Sequence, residues 1–264
     1  MNKIKVIVTG GAGRMGTMTI RTILDQANME LIGAVDVTSV GQDAGTLAGL
    51  QPCGVNITDD IHKILKEKSP EVMVDFSQGP VAGDNILACI KAGVACVVGT
   101  TGIDDEILRQ VEIESLSQGV PVLLAPNFSV GAVLMMQFAS QAAQHMKWGE
   151  IIELHHEKKA DAPSGTALRT ARMMSDVRGS FSQTADEIEK LEGARGGVYN
   201  GIHIHSVRMP GLLAHQEVRL GATGETLTIR HDSISRECFM PGVMLAVQKV
   251  KNLRGLVVGL ENVM

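Results

Sequence analysis

Short apolar runs alternate with amphipathic ones through the first half of the chain. Residues 3–9, "KIKVIVT", have the β-branched enrichment of a buried parallel strand and run straight into glycines. Residues 15–26 carry apolar side chains at helical spacing, and 31–36, "LIGAVD", read as a second strand. A polar, glycine-bearing loop then leads to a helix over Ile61–Lys68. Strands over 72–76, 95–98 and 122–125, with helices over 81–92 and 104–118, continue the alternation. Repeated β-α units predict a parallel sheet with right-handed crossovers and helices on both faces.

The pattern changes after Asn127. A long apolar helical stretch, 131–146, is followed by the extended "EIIELHHEKK" and a helix over 166–176, and then by period-two alternation in 201–208, 216–220 and 226–231. Half-exposed strands of this kind predict a mostly antiparallel or mixed sheet, hence a second domain. A helix over 241–250 and a buried strand over 256–260 return to the first style, so the C-terminus is expected to fold back onto the first domain. The expected division is 1–127, an inserted 128–237, and 238–264. The fold class is α/β, a parallel-sheet domain with an inserted α+β domain containing a mixed sheet.

Composition narrows the function classes. The 264 residues suffice for two modest domains with a real core, and 44% hydrophobic with 20% charged residues describes a globular chain. A net charge of −5 offers no general attraction for nucleic acid or anionic membrane, so an anionic ligand needs a local positive site. No apolar run approaches the roughly 20 residues of a membrane span. The N-terminus has no signal-peptide core, which predicts a cytoplasmic protein. Cys53, Cys89, Cys96 and Cys238 lack C-x-x-C spacing and read as reduced structural cysteines, and no metal is expected.

"GAGRMG" places Gly11, Gly13 and Gly16 in a G-x-G-x-x-G pattern between a strand and a helix, with Asp36 ending the second strand. The first glycine is expected to permit the tight turn, the second to admit a pyrophosphate, and the third to let helix and strand pack. Asp36 is placed to accept ribose hydroxyls. An acid there repels a 2′-phosphate, and Val37 supplies no arginine to pair with one, so NADH is favoured over NADPH; Thr38 and Ser39 keep dual use open. "GTTG" after the strand 95–98 and "APNFSVG" after 122–125 lie at strand ends, where the ligand crevice of an open α/β sheet opens.

The densest polar cluster is "ELHHEKKADAPSGTA", Glu153 to Ala167. His155 and His156, being consecutive, address opposite faces of an extended segment and cannot share a role. Lys159 shares a face with His155 if the chain stays extended. Asp161, read as a buried acid, would organise the turn, while Ser164, Gly165 and Thr166 offer N–H groups at a helix start. Cations and N–H donors together suit a carboxylate, and histidine suits proton transfer. His203 and His205 share a strand face and read as sheet-pairing or cleft-rim residues, Asp75 as a loop-capping acid, and Arg208 and Arg236 as residues able to reach an anion.

"GGAGRMG", "GTTG", "APNFSVG" and above all the intact H-H-x-x-K-x-D-A-P-S-G-T-A run resemble the dihydrodipicolinate reductase family over nearly the whole chain. The resemblance implies a Rossmann domain completed by the C-terminal segment and a central substrate domain whose mixed sheet builds a homotetramer. It implies His155 as acid/base histidine and Lys159 as proton-donating lysine, with His156, Gly165 and Thr166 binding a dicarboxylate substrate. Gly10, Gly11, Ala12, Gly13, Arg14, Met15, Asp36, Gly99, Thr100, Thr101, Ala125, Pro126, Asn127 and Phe128 match cofactor-binding positions. Several members carry Glu-Arg where this chain has Asp36-Val37. The implied reaction is reductive removal of a 4-hydroxyl from a cyclic imine in lysine and diaminopimelate biosynthesis, with domain closure positioning the substrate. A dinucleotide sensor without catalysis is the competing class; aspartate or homoserine dehydrogenase-like enzymes lack the double-histidine run.

Overall fold

The computed structural model describes residues 2–183 and 188–264. In chain order the elements are β1 (Ile4–Thr9), α1 (Arg14–Leu24), β2 (Met29–Val35), α2 (Ala44–Leu47), β3 (Ile57–Thr58), α3 (Ile61–Lys68), β4 (Val72–Asp75), α4 (Gly79–Lys91), β5 (Ala95–Val98), α5 (Asp105–Gln118) and β6 (Val122–Leu124). There follow α6 (Val130–Ala143), β7 (Trp148–His155), α7 (Gly165–Arg178), β8 (Gly197–Tyr199), β9 (Ile202–Arg208), β10 (Ala214–Ala222) and β11 (Glu225–Ser233). Last come α8 (Met240–Lys249) and β12 (Leu256–Val258). The chain forms two compact units: residues up to Phe128 together with Phe239–Met264, and Ser129–Cys238.

The first unit is built on a seven-stranded sheet of order β12-β6-β5-β4-β1-β2-β3, parallel throughout. Strand residues alternate between its faces. Ile7 joins the cluster formed with Ile61 and Ile64 of α3, Ile86 and Ile90 of α4 and Val111 of α5. Its neighbours Val6 and Val8 are equally buried. The chain runs β1, β2, β3 one way and β4, β5, β6, β12 the other, so the strand order reverses between β1 and β4. In such sheets the ligand crevice opens beyond the carboxyl ends at that point.

The loop expected after β2 contains α2 and β3. Both are too short for periodicity to reveal: the Asp43 carboxylate caps α2 by accepting the Thr46 N–H at 3.0 Å and holds the following turn through the Gly54 N–H at 2.8 Å, while β3 is held by pairing with β2. The last strand also departs from expectation. It stops at Val258 because Gly259 adopts φ +109°, and as an edge strand it is only partly buried.

The second unit carries a five-stranded mixed sheet, β11-β10-β7-β9-β8, with β7 and β9 parallel and the other pairs antiparallel. β8 was not legible in the pattern, being three residues among glycines. Ile151, Ile204, Val218 and Leu220 of the sheet pack with Ala139 and Ala143 of α6 and Ala167, Ala171 and Met174 of α7. Small residues on both helices allow close approach to each other and to the sheet. Among the described residues no helix is long and apolar enough to cross a membrane.

Candidate active site

At the switch point of the first unit the strand end, the glycine loop and the helix start are fixed by contacts that only glycine permits. Gly10 has φ +70°, and a Cβ on it would lie 2.4 Å from the Phe76 carbonyl oxygen. The tight turn therefore needs glycine at Gly10. Gly11, expected to serve that purpose, would meet only side chains, none closer than 3.4 Å. Gly16 does allow the helix to pack on the loop, since a Cβ there would sit 2.0 Å from the Gly10 oxygen. Gly13 begins α1 without a side-chain cap, which leaves the helix start at Arg14 and Met15 open to an anion. The loop is closed from β2: the Ala12 N–H donates to Asp36 Oδ2 at 3.0 Å, and Thr38 donates to Oδ1 through N–H and hydroxyl, both at 2.9 Å. Oδ1 is filled by the two Thr38 bonds, and Oδ2 keeps acceptor capacity for a ribose hydroxyl. Val37 beside it is 83% exposed. This donor set fits a dinucleotide.

Asp75, read as a loop-capping acid, does more. It is fully buried at the end of β4, and its carboxylate accepts from the hydroxyls of Thr9 and Thr100, both at 2.5 Å, from Ser77 N–H at 3.1 Å, and from Asn85 Nδ2 at 3.0 Å. One acid thus ties the ends of β1 and β4, the loop after β5 and helix α4. The Thr100 side chain is spent on this contact. Ala125 and Phe128 are also buried. Gly99 lets the Phe76 and Phe128 rings close over it edge to face, 5.7 Å apart; a Cβ would lie 2.2 Å from the Phe76 ring. Beside them Thr101, Gly102, Ile103, Leu124 and Pro126 line a cleft of about 220 Å³, and Asn127 follows in the same loop.

In the second unit His155 is the last residue of β7, and Lys159 follows a turn in which its N–H donates to the His156 carbonyl at 3.1 Å. The segment is not extended, so the shared face expected for His155 and Lys159 does not arise from strand alternation. Lys159 Nζ instead donates to both oxygens of Asp161, at 2.7 and 2.9 Å. Asp161 is exposed rather than buried, and Lys159 holds its carboxyl below the usual range. Ser164 caps α7 by accepting the Ala167 N–H at 3.2 Å, which places Gly165 and Thr166 in the first turn. Gly165 is exposed, and a Cβ there would meet nothing within 4 Å.

The buried acid of the cluster is Glu153, with 0% exposure. It accepts from Arg208 through two N–H groups, at 2.8 and 3.0 Å, from the Ser164 N–H at 3.2 Å, and lies 2.5 Å from His155 Nδ1. Burial works against its charge, but hydrogen bonds from His155, Arg208 and Ser206 outweigh it and hold the carboxyl at about 2. Sequence reasoning passed over Glu153, although an acid two residues before a histidine on a strand shares its face. The anion that Arg208 reaches is this internal one. His203 Nδ1 lies 2.7 Å from the Arg195 carbonyl and His205 Nε2 3.1 Å from Glu150. Among the described residues no three His, Cys, Asp or Glu side chains gather as metal ligands would.

Family models for the N-terminal and C-terminal parts of dihydrodipicolinate reductase match residues 4–128 and 131–264. The chain belongs to the dihydrodipicolinate reductase family. It is 48% identical over 264 residues to 4-hydroxy-tetrahydrodipicolinate reductase of Desulfitobacterium hafniense, covering 99% of each chain. With the enzyme of the same name from Moorella thermoacetica it shares 48% over 261 residues, covering 99% of this chain and 98% of the other. A solved structure, dipicolinate-bound dihydrodipicolinate reductase from Paenisporosarcina sp. TG-14, matches with TM-score 0.89 and 41% identity, covering 99% of this chain and 100% of that one. The resemblance carried by the histidine-lysine run is thus family membership, and the α/β fold with its second, mixed sheet is that of a reductase of this family.

Proposed function

We propose that the chain reduces 4-hydroxy-tetrahydrodipicolinate to tetrahydrodipicolinate with loss of water, using NADH or NADPH, in lysine and diaminopimelate biosynthesis. The observation that carries this reading is the intact histidine-lysine run, folded as strand end, turn and capped helix start in a chain of this family. When bound, the nicotinamide supplies a hydride to C4 of the dehydrated ring. Gly10, Gly11, Ala12, Gly13, Arg14 and Met15 would hold its pyrophosphate at the open start of α1, and Asp36 its ribose. The backbone of Gly99, Thr100, Thr101, Ala125, Pro126, Asn127 and Phe128 would border the nicotinamide end. The exposed first turn of α7 at Gly165 and Thr166, with the His156 ring, suits a ring carboxylate, in keeping with dipicolinate, a ring dicarboxylate, in the Paenisporosarcina enzyme. His155 and Lys159 handle protons: the hydroxyl departs as water while the adjacent ring carbon gives up a proton, and the ring enamine left by hydride addition takes one up, so that one hydride and one proton are consumed overall.

The finer parts of the reading are a preference for NADH, because Asp36 opposes a 2′-phosphate and Val37 offers it no cation, a cytoplasmic location, and a homotetramer built on the mixed sheet. Purified protein mixed with enzymatically made substrate and each cofactor should show substrate-dependent loss of reduced-nicotinamide absorbance. No oxidation with either cofactor would sink the proposal. Lys159→Ala and His155→Ala should lower kcat by about 10²–10⁴ with cofactor binding preserved; a sensor would be unaffected by both.

A further inference from the structure

Glu153 and His155 lie on one face of β7, and the carboxylate and ring are in direct contact. Its Oε1 takes the Ser164 N–H that opens α7 and one Arg208 N–H; its Oε2 takes the other and faces His155 Nδ1. Arg208 also donates to the Asp161 carbonyl at 2.7 Å. The acid therefore touches the histidine and the helix start directly and the lysine-bearing loop through Arg208. We propose that Glu153, clamped by Arg208, is a positioning residue that fixes His155 in the Nδ1–H form, so that Nε2 is the nitrogen presented for proton exchange. This rests on the reading above that gives His155 a proton-handling role.

The tautomer follows from donor bookkeeping. A carboxylate kept ionised can only accept, so the hydrogen in the short contact belongs to Nδ1, and the neutral ring carries its lone pair on Nε2. Stability alone gives little reason for a charge here, because a buried ion pair is generally no better than apolar residues of the same volume. Holding a histidine in one tautomer is a task that apolar residues cannot perform. Where an acid sets a histidine's tautomer in known enzymes, losing it lowers turnover by up to about 10⁴-fold.

The test uses the full-length protein labelled with ¹⁵N, with His155→Asn identifying the His155 signals. Long-range ¹H–¹⁵N spectra of the neutral ring should show a protonated Nδ1 and an unprotonated Nε2. In Glu153→Leu/Arg208→Met, which removes both charges and keeps the volume apolar, the ring should shift toward the other tautomer. Its kcat should fall at least about 10-fold, with the NADH dissociation constant unchanged. Glu153→Gln serves as a second variant, retaining an acceptor and a smaller loss. A wild-type ring protonated on Nε2 overturns the proposal, as does a folded double variant with wild-type kcat. A purely structural role would lower the melting temperature without moving the tautomer. If the wild type turns over no substrate, the proposed reaction fails, while the spectra still decide the positioning.

Discussion

Replacing Glu153 by glutamine changes the acid sensitivity of the second unit in a calculable way. The carboxyl is moved from an ordinary 4.5 to about 2 in the folded chain. A depression of that size corresponds to about 3 kcal/mol of stability, present above pH 4.5 and lost as the pH falls through the folded value. At pH 3 the unfolded carboxyl is almost wholly protonated and the folded one is still mostly ionised, so about 2 kcal/mol has gone. Glutamine cannot titrate. At pH 7 it leaves Arg208 with a neutral partner in a buried site, for a loss of about 3 kcal/mol. The gap between the two proteins should therefore shrink from about 3 kcal/mol at pH 7 to about 1 kcal/mol at pH 3. Other depressed carboxyls, among them Asp161 held by Lys159 and Asp232 held by Arg230, titrate in both proteins and cancel in the difference. Trp148, the only tryptophan, opens β7, so its fluorescence during urea unfolding reports on this unit. Stability curves that stay parallel from pH 7 to pH 3 would refute the reasoning.

Gly16→Ala would push a methyl group to 2.0 Å from the Gly10 carbonyl, so the loop must move; NADH affinity measured by fluorescence titration should fall at least about 10-fold, with about 1–3 kcal/mol lost from calorimetric stability. Asp75→Asn puts an NH2 donor in place of an oxygen that accepts from Thr9, Ser77, Asn85 and Thr100, and should destabilise the first unit by about 3 kcal/mol in calorimetry; an unchanged melting temperature would contradict the network. Val37→Arg places a guanidinium next to the acid at the ribose position, and the ratio of kcat/KM for NADPH to NADH should rise about 10-fold. A fall in that ratio would speak against the Asp36 assignment.

The sequence displayed the long elements, because their periods are set by burial that the sheet enforces, and Ile61–Lys68 and Ala95–Val98 agree to the residue. It concealed elements too short to show a period: α2 hangs on the Asp43 side chain, and β3 and β8 need their partners β2 and β9 to exist at all. The glycine pattern located the loop but misplaced the turn, since in a run of "GGAG" only the backbone angle tells Gly10 from Gly11. In the histidine-lysine run the residue types were legible and their surroundings were not. Asp161 precedes a proline and looked enclosed, yet it is the strand residue Glu153 that is buried, because β7 turns it to the same face as Ile151 against the helices.

Asp75 and Glu153 show two ways of burying an acidic side chain, one in each unit, and the difference bears on how each unit responds to change. Asp75 is surrounded by hydroxyl, amide and N–H donors, with no cation hydrogen-bonded to it among the described residues, and these donors come from the ends of β1 and β4, the loop after β5 and helix α4. Glu153 is neutralised by one guanidinium and joins β7, β9, the start of α7 and the lysine loop. A carboxylate offers about four lone-pair positions and no donor, so one acid can bind together segments that no backbone group could reach at once. Several segments of the proposed site depend on each acid, and removing either should displace all of them by small amounts rather than one by a large amount. Since a misplacement of about 1 Å can cost about 10²-fold in rate, such substitutions should lower kcat without removing any group proposed to touch substrate or cofactor. The neutral donors around Asp75 should tolerate high salt, whereas the Glu153–Arg208 pair is shielded from it only as long as it stays buried.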